Sequence, residues 1–113
     1  MSRIYKITSR ADWAAAHEAG QFEGSALDRR DGFIHFSTAG QAQETARRHF
    51  AGQADLVVLE VEADDLGEAL RWEPSRGGEL FPHLYGTLSA DAVRHVREAP
   101  LDAQGLPAVG TLA

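Results

Sequence analysis

The chain has 113 residues, a formal net charge of −6 and no cysteine. This length is typical of one domain with one hydrophobic core, and hydrophobic and charged fractions of 43% and 25% argue against disorder. The lack of cysteine excludes disulfides, thiolate metal sites and cysteine nucleophiles, and it is typical of a reducing compartment. Because an acidic surface repels phosphate backbones, nucleic acid is disfavoured as a partner.

No segment approaches the roughly 20 apolar residues of a membrane span, and no apolar run follows a basic start at the N-terminus. We therefore expect a cytoplasmic protein that does not associate with membranes. The sequence leaves its oligomeric state open.

The first third of the chain predicts a strand, a helix and a turn-rich segment. The β-branched and aromatic run Ile4-Tyr5-Lys6-Ile7 is typical of a strand. Ser9 is placed to cap a helix whose core anchor is Trp13, and Gly20 is placed to end it. Residues 20–32 are rich in Gly, Asp and Ser, which favours a surface loop. That loop either covers a site or is a solvated connector.

The next segment combines an apolar strand with polar side chains on one face. Phe33-Ile34-His35-Phe36 is apolar apart from its histidine, which is typical of a strand buried on both faces. Alternation places His35 and Ser37 on the same face, about 7 Å apart. Ser37 or Thr38 then caps a helix that continues to Phe50, and the N–H groups at a helix start favour an anion.

The second half is mostly strand. Four strands are expected, at residues 56–61, 70–73, 84–88 and 93–96. Pro74, Pro82 and two adjacent glycines exclude a central strand or a helix interior between them. Two short helices on a mostly antiparallel or mixed split sheet make the class α+β. We expect one domain, 1–113, with a core over about 3–98 and a loosely packed extension over 99–113.

His35 is the first candidate for chemistry, and we predict that its segment meets the segment around His83 across one cleft. An imidazole there donates to a hydroxyl or phosphate, or acts as a general base. The alternative for His35 is a core histidine with no role in chemistry.

A second candidate group surrounds His83 in the sequence. Arg76 suits bidentate binding of a phosphate or carboxylate, and Lys6 is the other well-placed cation. The alternative for Glu73 and Arg76 is one surface ion pair. The chain has five histidines but no His-x-x-x-His pair, so we predict no metal site; a metal held by His35 and His83 through tertiary contact is the weaker alternative.

Several segments, in this order, resemble the bacterial family known as domain of unknown function 952. The resemblance runs from about Ile4 to Val96. The segments that carry it are Ile4-Tyr5-Lys6-Ile7, Asp31-Gly32-Phe33-Ile34-His35-Phe36-Ser37, residues 43–50, Trp72-Glu73 and Phe81-Pro82-His83-Leu84-Tyr85-Gly86.

That family is grouped by fold with the ADP-ribosyltransferases, which grip NAD between two small sheets. The resemblance implies an ADP-ribosylation-like fold that binds NAD or a related nucleotide as substrate and transfers or hydrolyses its glycosidic bond. It implies no resident cofactor. The site residues that the motifs and this resemblance together suggest are catalytic His35, Glu73 and His83, and substrate-binding Lys6, Ser37, Arg76, Phe81 and Tyr85.

Two departures from the superfamily pattern keep a second function open. One of the two histidines of the tRNA 2′-phosphotransferases is missing from the segment around His35, and no Glu-x-Glu or Gln-x-Glu pair accompanies Glu73. The alternative is therefore a non-catalytic module on the same fold that binds a small anion or a protein.

Overall fold

The computed structural model describes residues 2–112, so Met1 and Ala113, the ends of the predicted domain, lie outside it. Its fold is mixed α+β with antiparallel sheets, which confirms the predicted class. The helices are α1 (Arg10–Ala19), α2 (Ala26–Asp31) and α3 (Ala39–His49). The strands are β1 (Arg3–Ser9), β2 (Gln21–Phe22), β3 (Ile34–His35), β4 (Leu56–Glu62), β5 (Leu70–Pro74), β6 (Leu80–Leu84), β7 (Leu88–Ser89) and β8 (Val93–Glu98). Short 3-10 segments cover Ala63–Ala69, Arg76–Gly78 and Ala90–Ala92.

Three small antiparallel sheets have the strand orders β1-β4-β8, β2-β7 and β3-β6-β5. The first and third sheets meet where the backbone of Tyr5 pairs with that of Ser37 through two N–H···O bonds of 2.8 Å each. This junction brings the segment after β3 against the middle of β1. The cleft predicted between the His35 and His83 segments opens beside it.

Two clusters of buried side chains form the core, because alternate residues of β1 point to opposite faces of its sheet. Ile4 packs in the first cluster with side chains that include Phe22, Ile34 and Leu84. Tyr5 packs in the second cluster, where Ala42 and Ala46 of α3 cover the sheet. None of the helices within residues 2–112 is long and apolar enough to cross a bilayer.

Local signals located the two longer helices correctly. Ser9 caps α1 by accepting a hydrogen bond from Asp12 N at 3.0 Å, and Gly20 ends that helix. Thr38 is the N-cap of α3, where its backbone N–H donates to Gln41 Oε1 at 3.0 Å.

The prediction of a surface loop over residues 20–32 is wrong, since this segment contains β2 and the six-residue helix α2. A capping box explains the helix start: Asp28 N donates to Ser25 Oγ at 3.4 Å, and Ser25 N donates back to Asp28 Oδ2 at 2.9 Å. The helix turns Asp28 inward, so a segment that reads as solvated contributes a buried carboxylate.

The exclusion of a central strand before Pro82 is also wrong, because β6 contains Pro82 and lies between β3 and β5. Backbone N–H and C=O of one residue in an antiparallel ladder point to the same neighbour. Pro82 O accepts from Phe36 N at 3.0 Å, so the missing N–H faces the segment just beyond β3. β3 has ended there, and the pairing of β6 with β5 on the other side loses no bond. The prediction of one strand over 84–88 is wrong as well: β6 ends at Leu84, and β7 begins only at Leu88.

The segment after Pro100 packs more closely than predicted. Pro107 and Val109 are buried, and Gln43 on α3 holds their backbone. Its Nε2 donates to Pro107 O at 2.9 Å, and its Oε1 accepts from Val109 N at 3.1 Å. Since these bonds come from a residue more than sixty positions away, composition alone could not reveal them.

Candidate functional site

A cavity of about 90 Å³ opens beside the junction of the first and third sheets. Six of the eight predicted site residues line it, namely Lys6, His35, Ser37, Arg76, Phe81 and His83. The other two, Glu73 and Tyr85, reach it only through His83. The structure thus confirms the predicted cleft, while the chemical role of each residue stays a prediction.

His83 is held in one orientation by Glu73. Its Nδ1 lies 2.8 Å from Glu73 Oε1, and Tyr85 Oη donates to the same oxygen at 2.8 Å. The bond from His83, and then that from Tyr85, lower the pKa of Glu73, so the carboxylate stays charged and fixes the proton on Nδ1. In the neutral ring a proton on Nδ1 makes Nε2 an acceptor, and Nε2 bonds to no described part of the chain. Phe33 stacks on the ring at 4.1 Å.

His35 is engaged at both ring nitrogens. Its Nδ1 lies 2.6 Å from Asp28 Oδ1, and its Nε2 lies 3.0 Å from Asp31 Oδ2. Only the doubly protonated ring can donate to both carboxylates at once. A hydrogen bond between a nitrogen of this ring and a ligand requires one of these carboxylates to move. Of these two imidazoles, only that of His83 has a ring nitrogen without a partner in the described chain.

Asp28 was missed by sequence analysis, although the Ser25-x-x-Asp28 spacing of a capping box was there to indicate it. Its side chain binds Lys6 Nζ through both oxygens, at 3.0 and 2.8 Å, and accepts from His35 N at 3.1 Å. Burial by itself would raise the pKa of Asp28, but the bond from His35 and the charge of Lys6 hold it far below 3.8. Burial lowers the pKa of Lys6, and Asp28 opposes part of that effect.

We expect Asp28 to make the free energy of unfolding depend on pH in the acid range. Because its folded pKa lies below its ordinary 3.8, its contribution is complete well above that pH and is lost as pH falls towards the folded pKa. Urea unfolding between about pH 5 and pH 2 measures this, and Asp28→Asn should flatten the slope by up to about 1.4 kcal/mol per pH unit. Asp91→Asn, at an exposed aspartate, is the control. Equal slopes in wild type and Asp28→Asn would contradict the assignment.

Arg76 brings a positive charge to the cavity wall. Its guanidinium lies 4.7 Å from the centre of the Phe81 ring, and its Nη1 donates to Thr45 Oγ1 at 3.3 Å. Thr45 Oγ1 in turn lies 2.9 Å from Ser37 Oγ. Between residues 2 and 112 no carboxylate forms an ion pair with Arg76, and Glu73 pairs with His83 instead. The alternative of a Glu73–Arg76 surface ion pair is therefore wrong.

The described residues that line the cavity include the cations Lys6 and Arg76 and no Asp or Glu. Burial, and then the charge of Arg76, lower the pKa of His49 on the same wall, as expected where an uncompensated cation lies nearby. Over the described part of the chain, no three His, Cys, Asp or Glu side chains are grouped as metal ligands.

Comparison with known proteins places this chain within a family. The model of a family described as a protein of unknown function, DUF952, matches residues 7–96. The crystal structure of protein CC0527 from Caulobacter crescentus is similar, with 57% identity over 94% of this chain and 93% of that one, and a TM-score of 0.92. Its solution NMR structure shares 58% identity over 95% of this chain and 92% of that chain, with a TM-score of 0.85. No curated protein matches. The chain therefore belongs to the DUF952 family of proteins of unknown function.

Proposed function

We propose that the cavity binds a small anionic molecule of the nucleotide class, with NAD and ADP-ribose as the first candidates. The observation that carries this proposal is the Arg76 guanidinium, which reaches the cavity without a carboxylate partner in the described chain. A guanidinium held this way suits phosphate or carboxylate, because its planar fork matches their oxygens.

The other walls suit the rest of such a ligand. The hydroxyls of Ser37 and Thr45 can exchange hydrogen bonds with a phosphate or ribose oxygen, and Phe81 and Phe50 offer apolar surface. A volume of about 90 Å³ is below the roughly 300 Å³ at which complete small-molecule pockets begin. It therefore takes one end of a nucleotide, and the remainder lies across the mouth of the cavity.

Calorimetric titration with NAD and with ADP-ribose tests this proposal. We expect both to bind, and Arg76→Ala to weaken binding by about 10- to 150-fold, since charge-assisted hydrogen bonds contribute about 1.5–3 kcal/mol. Arg71→Ala is the matched control, because Arg71 stacks on Tyr85 at 4.9 Å and does not line the cavity. No heat from either compound with the folded protein would contradict the proposal.

Our proposal for the finer fold class is the ADP-ribosylation-like fold that the family resemblance implies. On that fold His83, oriented by Glu73, would serve as the acid–base group for transfer or hydrolysis at the glycosidic bond. The second candidate, a non-catalytic module, is favoured by the absence of acidic side chains among the described lining residues. Release of nicotinamide from NAD by wild type, but not by His83→Gln, would decide for catalysis. Binding without release would decide for the module.

A further inference from the structure

The charges around the cavity favour one class of reaction over another. Cleavage of a glycosidic bond passes through a cationic, oxocarbenium-like state that carboxylates stabilise. Transfer of a phosphoryl group concentrates negative charge on oxygens that cations and hydrogen-bond donors stabilise. Arg76 faces the cavity together with two hydroxyl groups, and no Asp or Glu belongs to the described lining. These groups therefore suit a transferred phosphoryl group better than an oxocarbenium-like cation, so this inference departs from the glycosidic-bond chemistry considered above and keeps only its anion binding.

The cavity also contains a nitrogen nucleophile. Glu73 holds Nδ1 of His83 at 2.8 Å, which leaves the lone pair of Nε2 available. Attack by Nε2 places positive charge on the ring, and the Glu73 carboxylate stabilises that charge through the bond to Nδ1–H. Stacking by Phe33 at 4.1 Å keeps the ring from turning. His35 cannot serve in the same way, since carboxylates lie at both of its nitrogens.

We propose that Nε2 of His83 accepts a phosphoryl group from a small phosphorylated metabolite and forms a phosphohistidine; this rests on the anion binding proposed above. The Nε2 lone pair forms the N–P bond while the P–O or P–N bond of the donor breaks. The electron pair of the broken bond leaves with the oxygen or nitrogen of the phosphoryl donor. That atom takes a proton from water where its basicity requires one. Arg76 and the hydroxyls of Ser37 and Thr45 hold the phosphoryl oxygens during transfer. Attack by water on phosphorus then breaks the N–P bond, whose electron pair returns to Nε2. Inorganic phosphate is released, and a proton from that water leaves to solvent.

Two small donors, acetyl phosphate and phosphoramidate, test the proposal without knowledge of the natural substrate. After incubation with the full chain, intact mass spectrometry at alkaline pH should show one added phosphoryl group, and peptide mapping should place it on His83. His83→Gln should show none. His95→Gln, at an exposed histidine on β8, should be labelled like wild type. Labelling of His95 or another exposed histidine in preference to His83 would overturn the proposal.

Because His83 is buried, its replacement can disturb folding, and Arg76→Ala provides an independent variant that keeps the nucleophile. We expect it to form phosphohistidine at least about tenfold more slowly, as the loss of one charge-assisted contact implies. Glu73 is a positioning residue in this scheme. Glu73→Gln should slow labelling and shift its pH profile, whereas a purely structural role would leave the pH profile unchanged.

Calorimetry with inorganic phosphate separates failure of this inference from failure of the proposed function. If wild type binds phosphate or ADP-ribose in an Arg76-dependent manner and neither donor labels it, the phosphohistidine is ruled out and the binding site stands. If none of the anions binds, both proposals fall. Labelling at His83 that is insensitive to Arg76→Ala would overturn the role given to the cavity.

Discussion

Replacement of Lys6 by methionine is expected to lower the free energy of unfolding by about 3–5 kcal/mol, the usual loss when one partner of a buried ion pair is removed. Both Lys6 and Asp28 are almost fully buried, with side-chain exposures of 6% and 1%. The substitution leaves the Asp28 charge without its two bonds to Nζ. The remaining donors, from His35 and Ser25, satisfy only part of it. Urea denaturation at neutral pH measures the change.

A surface ion pair provides the control for this result. Arg94 Nη2 lies 2.9 Å from Asp65 Oδ2, and the two side chains are 47% and 42% exposed. Because water and salt screen such a pair, Arg94→Met should change stability by no more than about 1 kcal/mol. Similar losses in the two variants would show that burial does not strengthen the Lys6–Asp28 interaction.

Replacement of Gly24 by alanine is expected to destabilise the protein by about 2–4 kcal/mol, because it combines backbone strain with overpacking. Gly24 has φ = +99°, where L-residues are strained, and a Cβ there would lie 2.7 Å from Asp28 Cβ. Neither atom is the far end of a flexible side chain, so the start of α2 must shift. That shift moves Asp28 away from Lys6 and His35.

Gly32 offers a matched control at the other end of the same helix. Its φ is +87°, but an added Cβ would meet nothing within 4 Å. Gly32→Ala therefore carries the strain without the clash and should cost about 1–2 kcal/mol. Urea unfolding of the two variants measures the difference. If Gly32→Ala were as destabilising as Gly24→Ala, the close contact with Asp28 would have no energetic weight.

The sequence predicted the elements whose signals lie within a few residues. The Ser9 cap and Gly20 stop located α1, because capping bonds join groups only three or four positions apart. The apolar run Leu56-Val57-Val58-Leu59 indicated β4, and β4 is the central strand of its sheet. The presence of His35 and His83 in one cavity was also predictable, since each lies in an apolar segment with polar neighbours.

Long-range packing determined the features that the sequence did not predict. Pro82 was tolerated in a central strand because of where β3 ends, and the C-terminal segment was held by Gln43 on a distant helix. Neither relation is encoded near the residues concerned.

The sequence by itself determined the α+β class, the main helix starts and the two histidine segments, because local hydrogen bonding and alternation specify these. Only the tertiary structure decided which histidine ring has a nitrogen without a carboxylate partner. Asp28 and Asp31 occupy both nitrogens of His35, whereas Glu73 occupies one nitrogen of His83. The partner of each ring depends on how α2 and β5 pack against β3 and β6, and no local pattern along the chain specifies that packing.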